Sequence, residues 1–214
     1  MSAGLIQVAT LEAPHPVQFK GNRIAQWLLR RLGWRFEFEG LPARQGVFVV
    51  YPHTSNWDFP IGLLLKWAMG IEVNFWGKDS LFRFPIFSHW LRWVGGVPLA
   101  RSKSRGVVEQ MVAQMRAKKD RAEYFWLALS PEGTRSFQTG WRSGFYRLAH
   151  EAQVPLGLVS FDYGRRVFSC CRFMTLSGDR SADMQVIASA FDGVSGYRPA
   201  LAAPVRLGSD GDKK

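Results

Sequence analysis

The sequence predicts a single α/β domain, with a largely parallel or mixed sheet flanked by helices. Three observations carry this expectation. GVFVVY (46–51), YFWLALS (124–130) and VPLGLVSF (154–161) are apolar runs without alternating polar residues, as in strands covered on both faces. Segments of helical period lie between them, so strands and helices alternate along the chain. The 214 residues suffice for one domain with a substantial core and are few for two.

The elements follow in order. Residues 1–20 read as a loose extension, 21–205 as the domain and 206–214 as a polar tail. Asn22 can cap a short amphipathic helix in which Ile24, Trp27, Leu28 and Leu32 share one face, Arg23, Gln26 and Arg30 lie away from it, and Gly33 ends it. That face either packs on the domain or lies in the plane of a membrane. WRFEFE (34–39) alternates as a half-exposed strand does, and LPARQG leads from it into GVFVVY. Pro60 favours a helix from near Asp58 to about Met69, stopped by Gly70. VPLA (97–100) is a short strand, and a helix over about 106–119 carries Val107, Val108, Met111, Val112 and Met115 as a core stripe. YFWLALS, a helix over about 143–153 and VPLGLVSF come next, then the strand VFSCCRFM (167–174) and the helix ADMQVIASAF (182–191).

Lys and Arg total 28 against 17 Asp and Glu, a net charge of +11 that favours polyanionic partners such as nucleic acid, acidic headgroups or phosphorylated substrates. Nine Trp and sixteen Phe beside these cations suit a bilayer interface as well as a large core. The basic residues form no dense tract and no RNP-like strand motif occurs, so no nucleic acid is expected, and a basic nucleic-acid-binding module is the non-enzyme alternative. No run approaches the roughly 18 to 20 apolar residues of a spanning helix, because Lys66 interrupts the most apolar candidate. The N-terminus lacks a basic n-region and carries Glu12, which does not fit a signal peptide. The expected location is cytoplasmic, peripherally associated with the inner face of a membrane. Cys170 and Cys171 are adjacent and read as reduced core residues, too few for a zinc site; no metal is expected.

Three polar clusters follow predicted strands: HTSNWD (53–58), Arg101 and PEGTRS (131–136). In a parallel sheet they converge beyond the strands' C-terminal ends, where ligands collect. On a continuous helix His53 and Asp58 would point about 140 degrees apart, so a strand-to-helix turn is needed to bring them together. There a carboxylate can accept the Nδ1 proton and leave Nε2 as a base, although an Asp at a helix start also serves as a cap. Ser55 lacks a G-x-S-x-G elbow and reads as a cap rather than a nucleophile. A base without its own nucleophile suits a substrate that brings a hydroxyl. Gly133 lets backbone N–H groups approach a ligand, while Arg135 and Arg101 can grip a phosphate; Glu132 can also pair with either arginine to hold the turn. His89 and His150 read as structural.

HTSNWD and PEGTRS resemble the His-x4-Asp and Glu-Gly-Thr-Arg blocks of the lysophosphatidic acid (glycerolipid) acyltransferase superfamily, with GGVPLAR (95–101) and VPLGLVS (154–160) similar to its second and fourth blocks. The resemblance implies transfer of a fatty acyl group from acyl-CoA or acyl-ACP, as co-substrate with no bound cofactor, to a hydroxyl of a lysolipid or glycerol phosphate-type acceptor. It makes His53 the general base and Asp58 its orienting partner, with Arg101, Glu132, Gly133, Thr134 and Arg135 binding the acceptor. Pro52, Pro98 and Ala100 depart from the family pattern, which leaves room for an acceptor with another head group. A thioester hydrolase using the same pair on water is the alternative enzyme. The aromatic segment FWGKDSLFRFPIFSHWLRW (75–93) implies a hydrophobic groove with a basic rim, in which Phe75, Trp76, Lys78, Phe82 and Trp90 are candidate contacts for an acyl chain or membrane. Plain core packing of these aromatics is the competing expectation.

Overall fold

The structure, a computed structural model, describes residues 5–6, 21–99 and 104–208. Arg101, most of the N-terminal extension and residues 209–214 lie outside the described residues, as does the side chain of Lys78.

Eight strands form one mixed sheet: β1 (Leu5–Ile6), β2 (Arg35–Phe38), β3 (Gln45–Tyr51), β4 (Asn74–Lys78), β5 (Gly96–Leu99), β6 (Phe125–Leu129), β7 (Leu156–Asp162) and β8 (Val167–Met174). Their hydrogen-bonded order is β1-β8-β7-β3-β6-β4-β5, and β2 also pairs with β8. The block β7-β3-β6-β4-β5 is parallel throughout. The β7–β8 hairpin is antiparallel, which makes the sheet mixed. Because β3, β6 and β7 run the same way side by side, the chain leaves all three at one edge, after Tyr51, Leu129 and Asp162.

Among the described residues the α-helices are α1 (Arg23–Arg31), α2 (Asp58–Met69), α3 (Pro85–Trp93), α4 (Ser104–Asp120), α5 (Gly144–Glu151) and α6 (Arg180–Ala190). One core joins the sheet to α1 and α2, where Trp126 stacks on Phe48 and meets Phe173 edge-on beside Leu65 and Leu29. A second core joins the other face to α4, α5 and α6 around Tyr51, Trp141 and Phe191. With both faces covered, the strands can be apolar throughout; β3 is buried at every position but Val50. The helix that the sequence placed at 58–69 is found there, and Gly70 closes it at φ 71°, a left-handed turn that glycine adopts without strain.

Several elements were not legible in the sequence: β1 lies in the segment read as a loose extension, yet Leu5 and Ile6 pair with Met174 and Phe173 of β8. The segment after α2 forms β4, a five-residue Asp79–Arg83 3₁₀ turn and then α3. Its aromatics show no clean period because they serve both sides of these short elements. Phe75 packs on Phe59, Phe82 packs against Gly77 and Gly96, and Phe84, Ile86 and Trp93 are exposed. The alternatives for α1 are also resolved at the level of packing. Asn22 caps it through Ile24 N and Ala25 N, and Ala25 and Leu29 are buried against α2. Ile24, Trp27, Leu28 and Leu32 are exposed, so its apolar stripe faces away from the domain. No helix among the described residues is long and apolar enough to cross a membrane.

Candidate active site

The loop after β3 returns into α2 within six residues, and this turn brings together the pair the sequence had separated. His53 Nδ1 lies 3.0 Å from Asp58 Oδ2, with the imidazole side chain 23% exposed and the carboxylate 3%. Asp58 is the first residue of α2, where the helix's positive end favours a negative charge. It does not cap the helix in the usual forward direction. Its Oδ2 reaches back to accept the N–H of Ser55 at 2.9 Å, and its Oδ1 accepts the hydroxyl of Tyr163 at 2.6 Å. Three donors therefore satisfy a carboxylate that would be costly to bury alone.

Ser55 is engaged locally: its Oγ accepts the N–H of Trp57 at 3.1 Å in the turn before α2, and it is not the helix cap expected of it, because Trp57 stands at the N-cap and no side chain caps this helix. Thr54 Oγ1 accepts the N–H of Arg198, which ties the loop to the chain beyond α6.

The loop after β6 meets the same turn. Glu132 is 1% exposed, and its Oε2 accepts the backbone N–H of His53 at 2.6 Å while Oε1 accepts that of Ala203 at 3.0 Å. Among the described residues Glu132 thus takes two main-chain donors, and Arg135 turns to Ser55 O instead of to this carboxylate; the expected alternative partner, Arg101, lies outside the described residues. Burial pushes its carboxyl above the usual carboxylate range, and the N–H groups of Ala203 and His53 hold it partway back. Gly133 sits at φ 68°, but its N–H closes the turn onto Ser130 O rather than pointing at open space. A Cβ there would come within 2.8 Å of Arg142 Nε, so the glycine makes room for that guanidinium. Thr134 Oγ1 lies 3.4 Å from Ser136 N, and the exposed Arg135 donates from Nε to Ser55 O at 3.1 Å. HTSNWD and PEGTRS therefore form one interlocked site, as their positions after parallel strands predicted.

In the first turn of α2, Phe59 meets Phe75 and Trp90 edge-on at ring separations of 5.2 and 6.3 Å, which sets an aromatic wall next to Asp58. Phe82 lies under the guanidinium of Arg92, and Trp76 is half-buried against the larger core. The aromatic segment therefore divides between the wall, the core and the surface. His89 and His150 stand apart from the pair; His150 stacks on Tyr146.

Two residues of the site were missed in the sequence. Tyr163 directly follows β7, beside β3 and at the same sheet edge, and this position was its only signal. Burial and the bond to Asp58 push its phenol far above the ordinary value, so it is a proton donor at neutral pH. Arg142 had no local signal, because its place beside Gly133 depends on the fold of the loop.

The sequence profile of the family described as Acyltransferase matches residues 22–161. No curated protein matches significantly. Among solved structures, the chain is similar to the 1-acyl-sn-glycerophosphate (LPA) acyltransferase PlsC from Thermotoga maritima. That likeness has a TM-score of 0.49 and 18% identity over 78% of this chain and 74% of the other.

Proposed function

The chain belongs to the acyltransferase family, and from that premise we propose that it moves a fatty acyl group from a CoA or acyl-carrier-protein thioester to a hydroxyl of a lysolipid or glycerol phosphate-type acceptor. The observation that carries this reading is the 3.0 Å contact between His53 Nδ1 and the buried Asp58 carboxylate. It supports a neutral imidazole with the proton on Nδ1 and a basic Nε2. The acceptor's O–H gives its proton to Nε2 as its oxygen attacks the thioester carbonyl. The tetrahedral intermediate collapses with cleavage of the C–S bond, and the imidazolium returns the proton to the departing thiolate. No acyl-enzyme forms, in keeping with a Ser55 Oγ engaged by Trp57 N–H. The base contributes ~10²- to 10⁴-fold, and positioning supplies the larger remainder.

Arg135, held on Ser55 O, and Arg142, packed beside Gly133, supply guanidinium forks for a phosphate on the acceptor, with Arg101 as a further candidate. The aromatic wall of Phe59, Phe75 and Trp90 suits the acyl chain. A membrane-borne acceptor also accounts for the unpartnered faces of α1 and α3, where Trp27 is 54% and Ile86 90% exposed amid Arg23, Arg30, Arg31, Arg83 and Arg92. Such faces fit peripheral docking on an anionic bilayer, at the inner face of a membrane.

The test presents the purified protein with acyl-CoA and acyl-ACP over lysolipids of different head groups and resolves the products by mass. Acylated lipid with stoichiometric free thiol is expected. Free fatty acid at the same rate with or without acceptor would make the protein a thioester hydrolase instead.

A further inference from the structure

The family match ends at residue 161, yet part of the site's support lies beyond it. Tyr163 Oη donates to Asp58 Oδ1 at 2.6 Å, the carboxylate oxygen that does not face His53. The phenol ring is held edge-on by Trp34 at 4.9 Å and by Tyr197 at 5.4 Å, and its main-chain N–H donates to Ser195 O at 2.8 Å. The chain from Ser195 to Ala203 then binds the other parts of the site, through Arg198 N on Thr54 Oγ1 and Ala203 N on Glu132 Oε1. This anchorage gives the hydroxyl a fixed position relative to Asp58.

We propose that Tyr163 is a positioning residue of the acyl transfer site, locking the Asp58 carboxylate in one rotation and drawing charge from it, so that the other carboxylate oxygen holds His53 Nδ1 and leaves Nε2 to face the acceptor. The inference rests on His53 acting as the base. With Ser55 N–H on Oδ2 and Tyr163 on Oδ1, each oxygen has its own donor, and a rotation of the carboxylate out of its present plane would break both bonds. A phenol that donates to a carboxylate also takes up part of its charge, and this weakens the carboxylate's hold on an adjacent imidazolium. Without that bond the charge returns, the protonated imidazole is better stabilised, and it keeps its proton to higher pH. The other groups around the pair are Glu132, which accepts the His53 main-chain N–H, Arg135, held on Ser55 O, and Tyr197, edge-on to Tyr163. All of them stay in place when a single hydroxyl is removed.

The test is Tyr163→Phe, which keeps the ring and its packing. The His53 imidazole is titrated by NMR in the free protein, and the pH dependence of kcat/KM is measured beside it. The expected result is an upward move of the His53 midpoint and of the acidic limb by about half a pH unit, roughly threefold in proton affinity. A fall in kcat of about tenfold with unchanged KM values accompanies it, as a mis-set catalytic group requires. In an Asp58→Asn background the same substitution should no longer move the His53 midpoint. A midpoint that stays put or moves down in Tyr163→Phe overturns the inference, even where kcat falls. His53→Ala with wild-type turnover would overturn the role of His53 as the base, on which this inference rests, while the NMR comparison in the His53-containing protein would still report whether Tyr163 controls Asp58.

Discussion

Replacing Glu132 by glutamine perturbs the joint between the two loops while conserving shape. Both carboxylate oxygens accept main-chain N–H groups, His53 N at 2.6 Å and Ala203 N at 3.0 Å, in a site that is 1% exposed. An amide has one acceptor oxygen, so in either orientation its NH₂ must face an N–H. A buried donor left without an acceptor costs about 1–3 kcal/mol. For a chain of this size that corresponds to about 2–12 °C in melting temperature, at ~2–4 °C per kcal/mol. The pH dependence has a definite sign. Burial raises the carboxyl above its unfolded value, so the stability it contributes is full below the ordinary carboxylate range and is lost as pH rises through the raised folded value. The melting-temperature gap between wild type and Glu132→Gln is therefore largest in acid and narrows toward neutral pH. Calorimetric scans across that range measure it directly. Equal melting temperatures, or a gap that widens as pH rises, would refute the reasoning. Because one of the two bonds ends on the backbone of His53, turnover should also fall about tenfold or more.

Arg135→Lys keeps the charge but gives up the planar fork and its Nε bond to Ser55 O. The KM for a phosphate-bearing acceptor should rise about tenfold, the equivalent of ~1.4 kcal/mol, with a smaller effect on acceptors that lack phosphate; steady-state kinetics over both kinds decides it. Ile86→Asp combined with Trp27→Asp places two carboxylates on exposed positions of α3 and α1, where folding stability should change by within about 0.5 kcal/mol per site. Flotation with anionic vesicles should show binding lost while the melting temperature is kept, and undiminished binding would remove these faces from the docking account.

The parts of the fold that could be read from the sequence are those with a local physical signature. Asn22, Asp58 and Gly70 mark helix ends through caps, charge and a left-handed turn, and α1 and α2 begin or end at them. The unbroken apolar runs became the central strands β3, β6 and β7, because a sheet covered on both faces demands nothing else of them. β4 and α3 escaped because their aromatics are shared among the wall at Phe59, the contact with Gly77 and Gly96, and open surface, so no single period survives. The site divides in the same way. His53 and Asp58 are five residues apart, and once a turn was required their meeting followed. The links from Tyr163 to Asp58 and from Ala203 to Glu132 span 105 and 71 residues, and only the packed chain makes them. Arg101 stays a candidate on sequence grounds, two residues beyond the end of β5.

The account turns on His53 as a base acting on an acceptor hydroxyl. The most direct measurement follows acyl transfer from thioester to lysolipid by His53→Ala, with product lipid and free fatty acid quantified together. The expected result is a loss of at least about 100-fold in lipid product, with the melting transition and vesicle binding retained. Wild-type turnover in that variant would contradict the account.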